Sequence, residues 1–173
     1  MLVSVLVGAI RSVAEFTYAP DQMLSHLNER MMGRSNGGFA TALAALVTAE
    51  GNVTIANAGH LPPYLNGREV EVTGALPLGI VSGAQYETTH LHLEVSSRLT
   101  FYSDGVIEAQ DRSGKLLGFD RARDLSTQPA AAIVEAARAF GQQDDITVIT
   151  LERIVVAEVL DLEQRTPAWT PAS

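Results

Sequence analysis

The chain has 173 residues, 46% of them hydrophobic, enough for one domain with a substantial core. Its net charge of −8 leaves the 12 basic residues too sparse and scattered for a phosphate backbone, so no nucleic acid is expected as partner. Cysteine is absent, which excludes disulfides and thiolate metal sites and fits a cytoplasmic setting; no apolar run is long enough to cross a bilayer, so no membrane is expected.

In chain order, residues 2–16 carry Leu2, Val5, Leu6, Ala9 and Val13 at helical spacing. The pattern is already running at Leu2 with no capping residue before it, so the sequence reads as starting inside a helix. A second helix is expected after Pro20, with Asp21 in its first turn and Leu24, Leu27 and Met31 as its buried stripe. Gly33 to Gly38 reads as a loop. Phe39–Val47 then reads as a buried strand, which Glu50-Gly51-Asn52 turns into a second strand, Val53–Asn57. Asn66-Gly67 is a two-residue hairpin signal between Tyr64-Leu65 and Glu69–Val72. Period-two alternation from Tyr86 to Leu93 predicts another strand, and Leu99–Tyr102 a further one. Helices are predicted at 118–125 and over Pro129–Phe140, and a last core strand over Ile146–Leu151. The tail from Glu152 to Ser173 is expected to be partly disordered.

Two aspartates are the leading candidates for chemistry. Asp104 and Asp144 each sit beside a run of β-formers, where a rigid edge could hold hard-cation ligands. The plainer reading of Asp104 is turn chemistry in Ser103-Asp104-Gly105, and that of Asp144 and Asp145 is a strand entry. Adjacent carboxylates repel, so a cation or a neighbouring arginine, with Arg138 the candidate, is expected to compensate them. His60 is either a loop histidine bonded within its own turn or a group facing substrate, since Gly59 permits close backbone approach. His90 and His92 share a strand face and could bind a metal together, but with no third ligand nearby they read as an exposed face. Glu108 is either a carboxylate supporting Asp104 or a surface residue. No nucleotide-binding Gly-Lys-Ser/Thr loop is present.

Four segments resemble one known family. Phe101-Tyr102-Ser103-Asp104-Gly105-Val106-Ile107-Glu108 is similar to its YSDG-x-x-E motif, Asn57-Ala58-Gly59-His60-Leu61-Pro62-Pro63 to NAGH-x-P-P, Leu76-Pro77-Leu78-Gly79-Ile80 to LPLG, and Asp144-Asp145-Ile146-Thr147 to DDIT. In this order over residues 39–151 they resemble the SpoIIE-like branch of the PPM-type (type 2C) protein phosphatases. The resemblance implies an α+β fold, an αββα sandwich of two antiparallel sheets flanked by helices, over residues 1–151. It implies hydrolysis of phosphoserine or phosphothreonine at a pair of Mn2+ or Mg2+ ions. The implied protein substrate is a phosphorylated STAS-type anti-sigma-factor antagonist.

Carried onto this sequence, the resemblance makes Asp104 and Asp144 metal ligands. It places Asp145, Asn57, Glu108 and Gly105 around them, and His60 near metal-bound water or as an acid for the leaving group. The family carries two further metal aspartates, in GGD and GD-x-SG-x-G motifs ahead of the first long helix, and this sequence contains neither. The expectation is therefore an N-terminally truncated domain that binds metal weakly, has little activity alone and offers a surface for homodimerisation. The alternative is a non-catalytic phosphatase-like module that binds a signalling partner.

Overall fold

The computed structural model describes residues 10, 17–32, 38–142 and 144–154. The helix expected over 2–16 and the tail beyond Ile154 lie outside these. The described elements are α1 (Pro20–Met31), β1 (Ala42–Val47), β2 (Asn52–Ala58), β3 (Tyr64–Leu65), β4 (Arg68–Glu69), β5 (Thr88–His92) and β6 (Arg98–Tyr102). They continue with α2 (Asp104–Ile107), α3 (Gly118–Leu125), α4 (Ala130–Gly141) and β7 (Val148–Glu152). Two antiparallel sheets result, with strand orders β1-β2-β5 and β4-β3-β6-β7.

Period-two alternation builds the layers. On β2, Ala56 and Ala58 face α1, where Leu24, Leu27 and Met31 cover them together with Leu78 and Tyr86. Val53 and Ile55 face the other way and meet Leu99, Phe101 and Leu151 of the second sheet. On β6, Tyr102 turns outward to Val106, Ile133 and Ala137 under the helices. Helix, sheet, sheet and helix thus stack around three apolar layers, and the fold is the α+β sandwich expected from the sequence. Polar groups in the outer layer are satisfied: Thr100 Oγ1 donates to the Ser126 carbonyl at 2.7 Å and the Tyr102 hydroxyl to that of Ala122 at 2.7 Å.

The hairpins at 47–53 and 65–68 are both present. The strand expected to be buried over Phe39–Val47 is instead an edge strand, Ala42–Val47, with no buried residue, because only one side of it has a neighbouring strand among the described residues. Strand β4 ends at Glu69 rather than Val72. Two details around the aspartates differ. Asp104 does not cap a strand end in a turn: it opens the short helix α2, because Gly105, Val106 and Ile107 gain burial by coiling under α3 and α4. Strand β7 begins at Val148 rather than Ile146, which leaves Asp144 and Asp145 in an exposed bend ahead of it.

Candidate functional site

The inter-sheet faces of β2 and β6 end at the same rim of the sandwich. Following Val53 and Ile55, the next residue on that face of β2 is Asn57; following Leu99 and Phe101 on β6 comes Ser103. Asn57 is buried, and its side chain folds the chain back on itself. Its Oδ1 accepts the His60 N–H at 2.8 Å and its Nδ2 donates to the His60 carbonyl at 2.9 Å. This closed turn presents the His60 ring toward the second sheet. One ring N–H donates to the Tyr102 carbonyl, and Nδ1 lies 3.3 Å from Thr41 Oγ1. His60 therefore links the two sheets. Burial lowers its pKa below the usual histidine range, partly offset by the Asp104 carboxylate and by the bond to Tyr102. The lowered pKa disfavours the charged imidazolium form of the ring.

Ser103 joins the two aspartate segments. Its backbone N–H donates to the Thr147 carbonyl at 2.9 Å, its Oγ accepts the Thr147 N–H at 2.9 Å, and Oγ donates to the Asp145 carbonyl at 3.3 Å. The neighbouring Gly105 is buried against the same Asp145 carbonyl, and a Cβ at this position would run into that oxygen. Only glycine allows so close an approach. Ser103 and Thr147 stand inside the motifs read from sequence, but their bonding roles had no signal there, because which side chains meet depends on how the strands pair.

Asp104 and Asp144 are both exposed on these adjoining segments. Asp104 Oδ1 accepts the Gly105 N–H at 3.0 Å, and Asp144 Oδ1 accepts the Asp145 N–H at 2.7 Å. Asp144 lines a cavity of about 330 Å³ with Gly105, Glu108, Gln110 and Leu116. A second cavity, about 560 Å³, opens between the sheets and includes Thr41, His60 and Ser103. In the chain, Asp104 stands between Ser103 and Gly105, which line the two cavities. Arg138 does not neutralise the Asp144–Asp145 pair as expected; its Nε donates to Gln142 Oε1 at 3.2 Å. Exposure to water limits the repulsion instead. His90 and His92 lie on an exposed strand face, His90 between Thr54 and Thr88, and His92 between Asn52 and Arg153.

Carboxylate oxygens are the donors that hard divalent cations take, and one oxygen of each aspartate is left without a protein donor among the described residues. The donor chemistry thus fits Mn2+ or Mg2+. Among the described residues no group of three or more His, Cys, Asp or Glu side chains that could hold a metal ion comes together. Among the described residues no helix is long and apolar enough to cross a membrane.

Comparison with known proteins places this geometry. No curated protein matches the chain. Among solved structures, the RsbU and RsbW domains of Rv1364c from Mycobacterium tuberculosis superpose with a TM-score of 0.71 at 26% identity, over 86% of this chain and 46% of that one. The SiaA PP2C domain of Pseudomonas aeruginosa gives 0.65 at 22% identity, over 86% and 66%. The PPM Ser-Thr phosphatase MsPP from Mycobacterium smegmatis, in complex with cacodylate, gives 0.60 at 18% identity, over 87% and 81%. The last two likenesses carry the fold alone, and the chain spans less than two thirds of the first two structures. The sequence itself matches the family described as Stage II sporulation protein E (SpoIIE) over residues 1–154. With that match the chain belongs to the SpoIIE family.

Proposed function

We propose that this chain is the catalytic part of a metal-dependent phosphatase that removes phosphate from serine or threonine of a regulatory protein. The observation that supports the reading is the junction made by Ser103 and Gly105, which sets the segments of Asp104 and Asp144 side by side at an open rim. Asp104 and Asp144 would hold Mn2+ or Mg2+. When bound, such ions supply an activated water and a counter-charge for the phosphoryl oxygens.

The chain's own groups prepare the site. Asn57 fixes the His60 turn, His60 holds Thr41 and the Tyr102 carbonyl across the sheets, and Glu108 adds negative charge to the Asp144 cavity. Asp145 contributes through its carbonyl, which anchors Ser103, rather than through its exposed carboxylate. We take residues 1–151 as the phosphatase domain and 152–173 as its tail. A STAS-type phosphoprotein substrate, a cytoplasmic setting and pairing into a homodimer belong to the same proposal. Two carboxylates leave most of the coordination of Mg2+ to water, so the chain alone is expected to bind metal weakly and turn over slowly.

Mn2+ titration followed by calorimetry, with hydrolysis of a phosphoserine peptide measured in parallel, tests the proposal. Asp104→Asn and Asp144→Asn should each weaken Mn2+ binding by about tenfold or more, because each removes one of the few charged ligands. Unchanged Mn2+ affinity in either variant would remove that residue from the site.

A further inference from the structure

Leu116 is an exposed apolar side chain, 47% accessible, on a segment with little freedom to move. Gln110 and Leu116 pair as an isolated antiparallel bridge, and Leu117 N–H donates to the Ala109 carbonyl at 2.8 Å. The loop between them is closed by Asp111, whose Oδ1 accepts from Ser113 N–H at 2.8 Å, Ser113 Oγ at 2.6 Å and Lys115 N–H at 3.1 Å. The backbone adds Asp111 N–H to the Lys115 carbonyl at 3.0 Å and Gly114 N–H to the Asp111 carbonyl at 2.9 Å.

The base of this hairpin is joined to the segment that carries Asp144. Gln110 N–H donates to the Gly141 carbonyl at 2.8 Å, and Gly141 lies so close that a Cβ would collide with the Gln110 carbonyl. One residue on, Gln142 Nε2 donates to the Asp144 carbonyl at 2.8 Å. Hairpin and Asp144 bend are thus connected through hydrogen bonds at both steps. Gln110 and Leu116 form a wall of the 330 Å³ cavity that Asp144, Glu108 and Gly105 also line. Among the described residues lining this cavity, Leu116 is the one large apolar side chain, set in a wall otherwise made by polar groups and glycine.

We infer that the Gln110–Leu116 hairpin is the specificity wall of the site: Leu116 receives an apolar side chain next to the phosphorylated residue of a protein substrate. This rests on the phosphatase reading for what enters the cavity, and it adds which sequence enters best. A phosphoserine directed at Asp104 and Asp144 brings its neighbour in the peptide alongside Leu116. Because the wall is preorganised, the contact costs little ordering on binding.

The test uses the 173-residue chain in Mn2+ and two peptides carrying a phosphonate analogue of phosphoserine that water cannot cleave. One peptide has leucine on both sides of the analogue, the other serine. Fluorescence anisotropy should give the leucine peptide about fivefold tighter binding, the range for one half-exposed apolar contact. Leu116→Ala should bring the two peptides to parity. Phe119→Ala removes another exposed apolar residue, one that does not line this cavity, and should keep the preference. The inference is overturned if the wild-type chain binds neither peptide, binds both equally, or keeps its preference in Leu116→Ala. Hydrolysis of the matching phosphoserine peptides is measured separately. Preference together with unchanged Mn2+ affinity in Asp104→Asn and Asp144→Asn would remove the metal-dependent reading and leave the wall; hydrolysis without preference would remove the wall and leave the phosphatase reading.

Discussion

The segments of Asp104 and Asp144 carry the same side chain to the same rim by different means. Asp104 opens a helix whose next three residues are buried under α3 and α4, and the Glu108 N–H closes the turn on the Asp104 carbonyl at 2.9 Å. Its backbone is fixed by the core. Asp144 lies in an exposed bend with no apolar anchor of its own until Ile146, and it depends on Ser103, Gln142 and the Asp145 carbonyl lodged against Gly105. One carboxylate is placed by packing and the other by hydrogen bonds borrowed from its neighbour. The site is therefore expected to fail first on the Asp144 side, since exposed hydrogen bonds open locally at lower cost than a buried helix turn.

Gly105→Ala should break this arrangement most strongly. The added methyl meets backbone rather than a flexible side-chain end, so the segments must separate, at a cost of about 1–3 kcal/mol in denaturant unfolding. Ser103→Ala is the sharper probe of the asymmetry. It removes the Oγ acceptor from the Thr147 N–H and should cost about 1 kcal/mol or less, because water can replace it at an exposed position. Amide exchange should accelerate at Thr147 while that of Glu108 stays unchanged; equal acceleration at both would mean that the two segments share one anchor.

The smallest effect is that of pH on the His60 turn. The folded-state pKa of His60 is lowered, so between that value and the unfolded value near 6.5 the unfolded chain binds more protons. His60 should therefore contribute stability that is present above about pH 6.5 and is lost as the pH falls through the folded pKa. Unfolding midpoints across this interval, compared with His60→Gln, would reveal it. A wild-type curve parallel to that of the variant would mean that His60 titrates alike in both states.

Much of the fold is legible in the order of residues alone. Leu24, Leu27 and Met31 mark the buried face of α1, Asn66-Gly67 the β3–β4 hairpin, and alternation along residues 86–93 the strand β5. The motifs around His60, Asp104 and Asp144 mark the segments that gather at one rim. The short helix at Asp104 is not legible in this way. Asp-Gly is strong turn chemistry locally, and only the cover provided by α3 and α4 makes coiling the better arrangement for Val106 and Ile107.

Local periodicity and turn chemistry need only neighbours in the chain, so the sequence alone determined most of the elements and their apolar faces, and its motifs the family. Tertiary structure decided the contacts across the chain: Ser103 with Thr147, His60 with Thr41 and the Tyr102 carbonyl, and the Gln110 hairpin with Gly141. Each joins residues far apart in sequence, and which polar groups meet is settled only when the sheets pair and their apolar faces close on one another.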